Sequence, residues 1–442
     1  MFKSSRLIDT PSHTQLGTPH SDPIRDHYQL IHSKVVNTIE ASAVVKLSSN
    51  ELEARILALV TDVVATHQLP LGHREVTKVV QKLVDELLGL GPLQPLIDDP
   101  SVSDIMVNGP NEVYIEKLGR LHKTAVEFRS EEQLLNMARR IVSKIGRRID
   151  ESSPLVDARL EDGSRVNVMI PPLALDGTCI SIRKFNHEKL SLSQMVQNDA
   201  LSEGMMHLLD VIVRCRLNVL IAGGTGAGKT TLLNAMSFSI PPHERIITIE
   251  DAAELKLQQP HVVRAETRSE NAEGLAAVTQ RELVRNALRM RPDRIILGEV
   301  RGEEAFEMMQ AMNTGHDGSL STLHANSPAD ALVRVENMLM MAPSTLPLFA
   351  LRRQIADTID IVIQVDRMRD GKRRIVAITE VVGIESEQYI TQDLYHFDTH
   401  GEDHQGKILG EYVSARRLPS FVAKAQHYQL DSQLRAAMRL AV

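Results

Sequence analysis

The chain has 442 residues, with 43% hydrophobic and 24% charged content. This suits a soluble globular protein of roughly two or three domains rather than a single core. A net charge of −7, no tryptophan and 3% aromatic residues argue against a dedicated nucleic-acid surface, which shows a basic excess and stacking rings.

Residues 1–27 are polar and aperiodic, a composition that predicts a disordered tail. The opening Met1-Phe2-Lys3-Ser4-Ser5-Arg6 lacks the apolar centre of a signal peptide. No apolar run approaches the ~20 residues a spanning helix needs, so a cytoplasmic chain with at most peripheral membrane contact is expected. Residues 28–91 read as a small helical bundle. A weak stripe runs from Tyr28 to about Ala41. A clearer one, capped by Ser49 or Asn50, carries Leu52, Ile56, Leu59, Val60, Val63 and Val64. A third, Val76 to Leu88, is stopped by Gly89, Gly91 and Pro92. Three short stripes can bury one another, so internal packing is the simpler reading than a partner groove.

Residues 92–186 read as an α+β domain with a mixed sheet. Its strands lie at Ile105–Val107 and Val113–Ile115, with a turn at 108–111 and another at 117–120. A helix spans Glu131–Ile145, and further strands lie near Arg165–Ile170 and Cys179–Arg183. Residues 187–201 read as a polar linker, and Ser202 as the cap of a helix over Glu203–Arg214. From residue 202 to 442 strands and helices alternate as in a doubly wound parallel sheet, followed by a tail with β segments at 375–378 and 380–382 and a last helix near Ser432–Leu440. Cys179 and Cys215 are far apart in sequence and read as reduced thiols rather than a disulfide.

Within that region Gly223-Gly224-Thr225-Gly226-Ala227-Gly228-Lys229-Thr230-Thr231 matches the phosphate-loop pattern G-x-x-x-x-G-K-[ST]. The apolar run Leu217–Ala222 reads as a buried strand entering the loop, and a helix begins with Lys229 and Thr230 in its first turn. The glycines let backbone N–H groups close on a polyphosphate, and the helix N-terminus adds partial positive charge. Lys229 would reach the β and γ phosphates and the Thr230 hydroxyl would ligate Mg²⁺. These features predict a protein that binds a nucleoside triphosphate, with ATP and Mg²⁺ as its cofactors.

Hydrolysis also needs a polarised water. Arg294–Leu297, Gly298 and Glu299 form an apolar strand ending in a carboxylate, as in a Walker B element. Glu299 would hold hydrated Mg²⁺ or orient the attacking water, and the alternative is an ordinary strand-end glutamate. Glu250, Asp251 and Glu254 follow the buried strand Ile246–Ile249, and strand C-termini are where open α/β sheets gather ligands. Glu250 is the candidate general base, with solvated helix-start acids as the alternative. His316 and His324 bracket Asp317–Leu323. Two histidines do not make a zinc site, and His324 either senses the γ phosphate or is structural. Arg281, Arg285 and Arg289 form a basic ridge, paired within its helix to Glu282, solvated, or facing another subunit. Arg147, Arg148, Arg159, Arg165 and Arg183 cluster in the first domain and are suited to a phosphate.

Longer stretches resemble one family. Leu88–Leu93 with Val102–Gly109, Val278–Arg281 with Arg291–Gly302, and Met312–Ser319 with His324–Pro328 are similar to the N-domain opening, the Walker B region and the His box of CpaF-type ATPases of the Tad/Flp pilus machinery, within the type II/IV secretion ATPase superfamily. The resemblance covers about residue 50 to 385. It implies a C-terminal RecA-like P-loop NTPase domain behind an N-terminal α+β domain, assembled as a homohexamer on the cytoplasmic face of the inner membrane. ATP would lie between the two domains, and hydrolysis would drive polytopic membrane partners. It also implies that Glu250 is catalytic and that Arg159, Arg165 or Arg183 contacts the γ phosphate. No metal beyond Mg²⁺ and no nucleic acid are expected. Rival readings are a type IV secretion traffic ATPase for DNA or effector proteins, a nucleic-acid translocase, and a nucleotide-gated binding module that hydrolyses nothing.

Overall fold

The computed structural model describes residues 23–39, 49–87, 89–117, 119–144, 147–160, 162–185, 190–268, 277–342 and 346–440. The readings made for residues 1–22, 40–41 and 187–189, and at Leu88, Leu118 and Ile145, lie outside the described residues. Two compact units divide the chain, Met1–Lys184 and Phe185–Val442. Among the described residues no helix is long and apolar enough to cross a membrane.

In the first unit the three helical stripes form α1 (Pro23–Thr38), α2 (Ser49–Thr66) and α3 (His73–Leu87). Ile31, Val35, Leu52, Ile56, Val60, Val79 and Leu83 bury one another between them. The described part of α1 begins at Pro23, ahead of Tyr28. Glu86, near the end of α3, accepts from Tyr28 Oη at 3.1 Å and from Gln133 Nε2 at 2.9 Å, and it pairs with Arg129. This one carboxylate ties the bundle to the domain that follows.

That domain contains α4 (Gln94–Asp98), β1 (Val102–Asn108), β2 (Val113–Lys117), β3 (Arg120–Lys123), α5 (Glu131–Ser143), β4 (Leu155–Arg159), β5 (Arg165–Met169) and β6 (Cys179–Arg183). The strand order is β3-β2-β1-β6-β5-β4. Every neighbouring pair is antiparallel, so the mixed sheet expected here is corrected. The reason is β4. It pairs with β5 as a hairpin, and α5 joins strands at opposite edges of the sheet instead of parallel neighbours. β4 escapes sequence reading because only Val156 among its residues is buried. α5, capped by Ser130 Oγ accepting from Gln133 N at 3.2 Å, lays Leu134, Met137, Ala138 and Ile141 on the sheet.

The second unit opens with α6 (Leu192–Gln197), where the sequence suggests only a polar linker. A capping box makes this helix: Gln194 N donates to Ser191 Oγ, and Ser191 N donates to Gln194 Oε1. Then come α7 (Glu203–Arg214), β7 (Val219–Ala222), α8 (Lys229–Ser237), β8 (Ile246–Glu250), β9 (Val262–Glu266), α9 (Gln280–Ala287), β10 (Arg294–Leu297), α10 (Glu304–Asn313), β11 (Leu320–Leu323), α11 (Pro328–Met341) and α12 (Leu348–Thr358). β12 (Ile361–Arg367), β13 (Arg373–Glu385), β14 (Gln388–Glu402), β15 (Ile408–Ser414), α13 (Val422–His427) and α14 (Asp431–Ala437) close the chain.

The sheet order is β15-β14-β13-β12-β7-β11-β10-β8-β9. From β12 to β9 every pair is parallel, as the alternating pattern predicts, and β13–β15 continue the sheet antiparallel. Every residue of β7, β8, β10 and β11 is buried. Successive residues of β7 serve opposite layers, Val219 and Ile221 one core, Leu220 and Ala222 the other. β14 leaves most of its residues exposed, so it lacks the apolar alternation that would have marked it.

The N-terminal ends of these strands are fastened by polar groups. Asn218 N donates to Asp360 Oδ2 at 2.7 Å and its Nδ2 to Thr358 O at 2.9 Å, while its Oδ1 accepts from Gly318 N and Ser319 N at 3.0 and 3.2 Å. Arg294, fully buried, donates to Glu244 at 2.5 and 3.2 Å and to Gly318 O at 3.2 Å. His316 lies at this end too, with Nδ1 3.2 Å from Ala311 O.

Candidate functional site

The opposite, C-terminal edge of the parallel strands carries the candidate residues. Register sets them side by side: Ala222 pairs with Leu323, and Ile249 with Leu297. The loop after β7, Glu250, Glu299 and His324 therefore emerge at one edge, where doubly wound sheets gather ligands.

The loop from Gly223 to Gly228 needs its glycines for specific reasons. A Cβ on Gly223 would sit 2.2 Å from Val365 O, inside any tolerable contact. Gly228 stands before α8 with φ 101°, a conformation that side chains strain to adopt. Gly224, Thr225 and Gly226 are exposed at the crest, Ala227 is buried, and Thr230 and Thr231 are half-buried in the first turn of α8. Lys229 is 8% exposed and donates through Nζ to Gly223 O and Gly224 O, each at 3.0 Å. Burial pushes its ammonium pKa down.

Lys229 is also the first link of a polar chain. Its Nζ stands 3.5 Å from His324 Nδ1, and His324 Nε2 stands 2.5 Å from Glu299 Oε1. Burial, with Lys229 next, lowers the His324 pKa, which favours neutral imidazole. In a neutral ring Nδ1 accepts from Lys229, while Nε2 lies beside Glu299 Oε1, which has no hydrogen-bond partner among the described residues. Glu299 Oε2 accepts from Arg301 Nε at 2.8 Å, and Arg301 also reaches Asp251 Oδ2 at 3.6 Å. Lys229, His324, Glu299, Arg301 and Asp251 thus form one continuous series.

Glu250 occupies the neighbouring strand end and is 3% exposed. Its Oε2 accepts from Glu254 N at 2.6 Å and Leu255 N at 2.8 Å, whereas buried Oε1 has no partner among the described residues. Burial pushes its pKa up to about 7, against those two hydrogen bonds. Gly298 is glycine because a Cβ there would come within 2.8 Å of Glu250 Cγ.

Other readings separate from this edge. His316 is at the far end of β11. Among the described residues Arg281 does not pair within its helix; it donates to Glu307 of α10 at 2.8 Å and to Glu303, just before that helix, at 3.0 Å, because α9 packs beside it. Arg159, Arg165 and Arg183 belong to the first unit and form a row across β4, β5 and β6, with Arg159 opposite Arg165 and Arg165 opposite Arg183. Arg183 Nε donates to Asp104 at 3.3 Å. Sequence reasoning gave no role to Arg301, Gly298, Thr322, whose Oγ1 donates to Gly298 O at 2.7 Å, or Arg373, whose Nε donates to Gly226 O at 2.8 Å. The place of Arg301 just past the Walker B strand was the available signal. Arg373 had none, being remote in sequence.

A parallel sheet with a glycine loop between strand and helix, and Lys-Thr in that helix's first turn, defines the P-loop α/β class. The chain belongs to the type II/IV secretion system protein family, whose pattern matches residues 86–400. Similar proteins include one of Mycobacterium tuberculosis named "Putative conjugal transfer protein", 39% identical over 314 residues, 70% of this chain and 89% of that one. The type IV secretion system protein VirB11 of Bartonella quintana is 31% identical over 66% of this chain and 92% of its own. The solved VirB11 ATPase of Brucella suis is 29% identical, covering 65% of this chain and 95% of that one, with a TM-score of 0.36.

Proposed function

We propose that the chain is a motor ATPase that hydrolyses ATP to ADP and phosphate and passes the energy to membrane partners of a secretion or pilus machine. The observation that carries this reading is Glu250: a buried carboxylate with one unpartnered oxygen and a pKa near 7, at the same sheet edge as a phosphate loop. The residues also suit a nucleotide. Gly224 at the crest of the loop has nothing within 4 Å of where a Cβ would stand, and Lys229 is held by loop carbonyls that it can exchange for phosphate oxygens.

In this reading residues 223–231 bind the polyphosphate through backbone N–H groups, and Lys229 takes the β and γ oxygens. Thr230 Oγ1 and Glu299, through water, would hold Mg²⁺, which neutralises phosphate charge. Glu250 Oε1 accepts the proton of the attacking water. His324 and Arg301 fix Glu299 from two sides, and His324 links it to Lys229. The arginine row of the first unit is an anion-binding strip for phosphate.

The long motif resemblance supports a reading in which the load is a Tad/Flp pilus system of the CpaF type, with a homohexamer working at the cytoplasmic face of the inner membrane through polytopic platform proteins. A second reading, a type IV secretion traffic ATPase, draws support from the VirB11 and conjugal-transfer names of its relatives.

The test is ATP hydrolysis by the purified chain over a range of concentrations, beside Lys229→Ala and Glu299→Gln, with and without DNA. Activity that rises with concentration, ignores DNA and falls by at least about a hundredfold in both variants supports the motor. Strong stimulation by DNA sinks it in favour of a translocase.

A further inference from the structure

The hairpin between β12 and β13 lies against the phosphate loop, and no motif of the family resemblance includes it. Gln364 pairs with Ala222, the last residue of β7, so Val365, Asp366 and Arg367 run on beside the loop. Val365 O is the atom that forbids a side chain at Gly223. From the returning strand, Arg373 Nε donates to Gly226 O at 2.8 Å, and its Cδ would lie 3.2 Å from a Cβ on Gly228. Arg367 Nη1 would lie 3.8 Å from a Cβ on Gly226.

Arg367 and Arg373 are directly opposed across the two strands. The hairpin is also held firmly. Asp370 accepts from Lys372 N at 3.0 Å, from both terminal nitrogens of Arg374 at 3.1 and 2.8 Å, and from Ile408 N of β15 at 3.2 Å. Those partners outweigh its burial and keep its pKa at about 2.

We infer that Arg373, with Arg367 opposite it, is a positioning residue of the phosphate loop, and that this hairpin sets the affinity of the loop for nucleoside di- and triphosphates. Lys229 holds the carbonyls of Gly223 and Gly224 from within, and Arg373 holds that of Gly226 from outside. With these acceptors turned aside, the loop offers N–H groups to the ligand, and two guanidinium charges stand behind it. Asp370 binds this wall to β15, so the antiparallel strands at the sheet's end contribute to nucleotide binding. The inference rests on the reading of the chain as an ATPase.

The full chain would be titrated with fluorescent ADP and ATP, and KM and kcat followed in parallel. Arg373→Ala should weaken both nucleotides by about tenfold or more, the scale of one hydrogen bond to a charged group. KM should rise by more than kcat falls, and Arg373→Lys should recover most of the affinity. A merely structural role would lower the melting temperature and leave the affinity of the folded fraction unchanged. Wild-type affinity in Arg373→Ala overturns the inference and leaves the ATPase reading standing. No binding of either nucleotide by the wild type overturns both. If Arg373→Ala does not fold, Arg373→Met, which keeps the aliphatic stem and removes the N–H donor and the charge, is titrated instead, and wild-type affinity there overturns the inference.

Discussion

The two ends of one parallel sheet treat buried charge in opposite ways. At the N-terminal end Arg294 and Glu244 satisfy each other, and Gly318 O takes a further donor of the guanidinium. At the C-terminal end, among the described residues, Glu250 is buried with one oxygen unpartnered, and Lys229 is held by its own loop and a histidine. Equal burial therefore serves different ends. Completed polar networks fix strands, and in the proposed function the incomplete one supplies the proton acceptor.

Substitutions at the two ends should separate turnover from stability. Glu250→Gln is expected to lower kcat by about 10²–10⁴-fold, the range of general-base contributions, with ATP affinity kept. Steady-state hydrolysis beside fluorescent-nucleotide titration measures both. Arg294→Met leaves buried Glu244 with the longer contact to Arg216 at 3.6 Å and should destabilise the second unit by about 3 kcal/mol. Denaturant unfolding measures that loss, and the fraction still folded should bind nucleotide as the wild type does. If Arg294→Met lost turnover at full stability, the contrast between the ends would collapse.

A third test uses pH. Burial raises the pKa of Glu250 from 4.5 to about 7, so the folded chain favours the protonated acid. Its contribution to stability is then full below pH 4.5 and is lost as pH rises through about 7. Above that, Glu250→Gln should be more stable than the wild type, by up to about 3 kcal/mol. The gap should close towards pH 4.5. Turnover by the wild type should move the other way, rising to a plateau above pH 7 as the base ionises.

Much of this site could be read from residues alone because its parts are local. A glycine loop, an apolar strand and a carboxylate at the strand's end are each short patterns, and parallel pairing then aligns the ends. Part of what escaped reading was not local. Arg373 reaches Gly226 only because β12 outruns β7, and Gly298 matters only once Glu250 lies over it. In the first domain, β4 hid because an edge strand with one buried residue has no apolar alternation. The helix α6 was overlooked for the reverse reason, since its capping box was written in Ser191 and Gln194 amid polar neighbours.

Asn218 also has a mechanical meaning. One side-chain amide and its own backbone N–H join the starts of β7 and β11 and the turn before β12. A slip of one residue between any of these strands would displace its far end by about 3.3 Å, more than the 2.5 Å between His324 and Glu299. The amide therefore works as a datum pin from which the opposite edge is gauged.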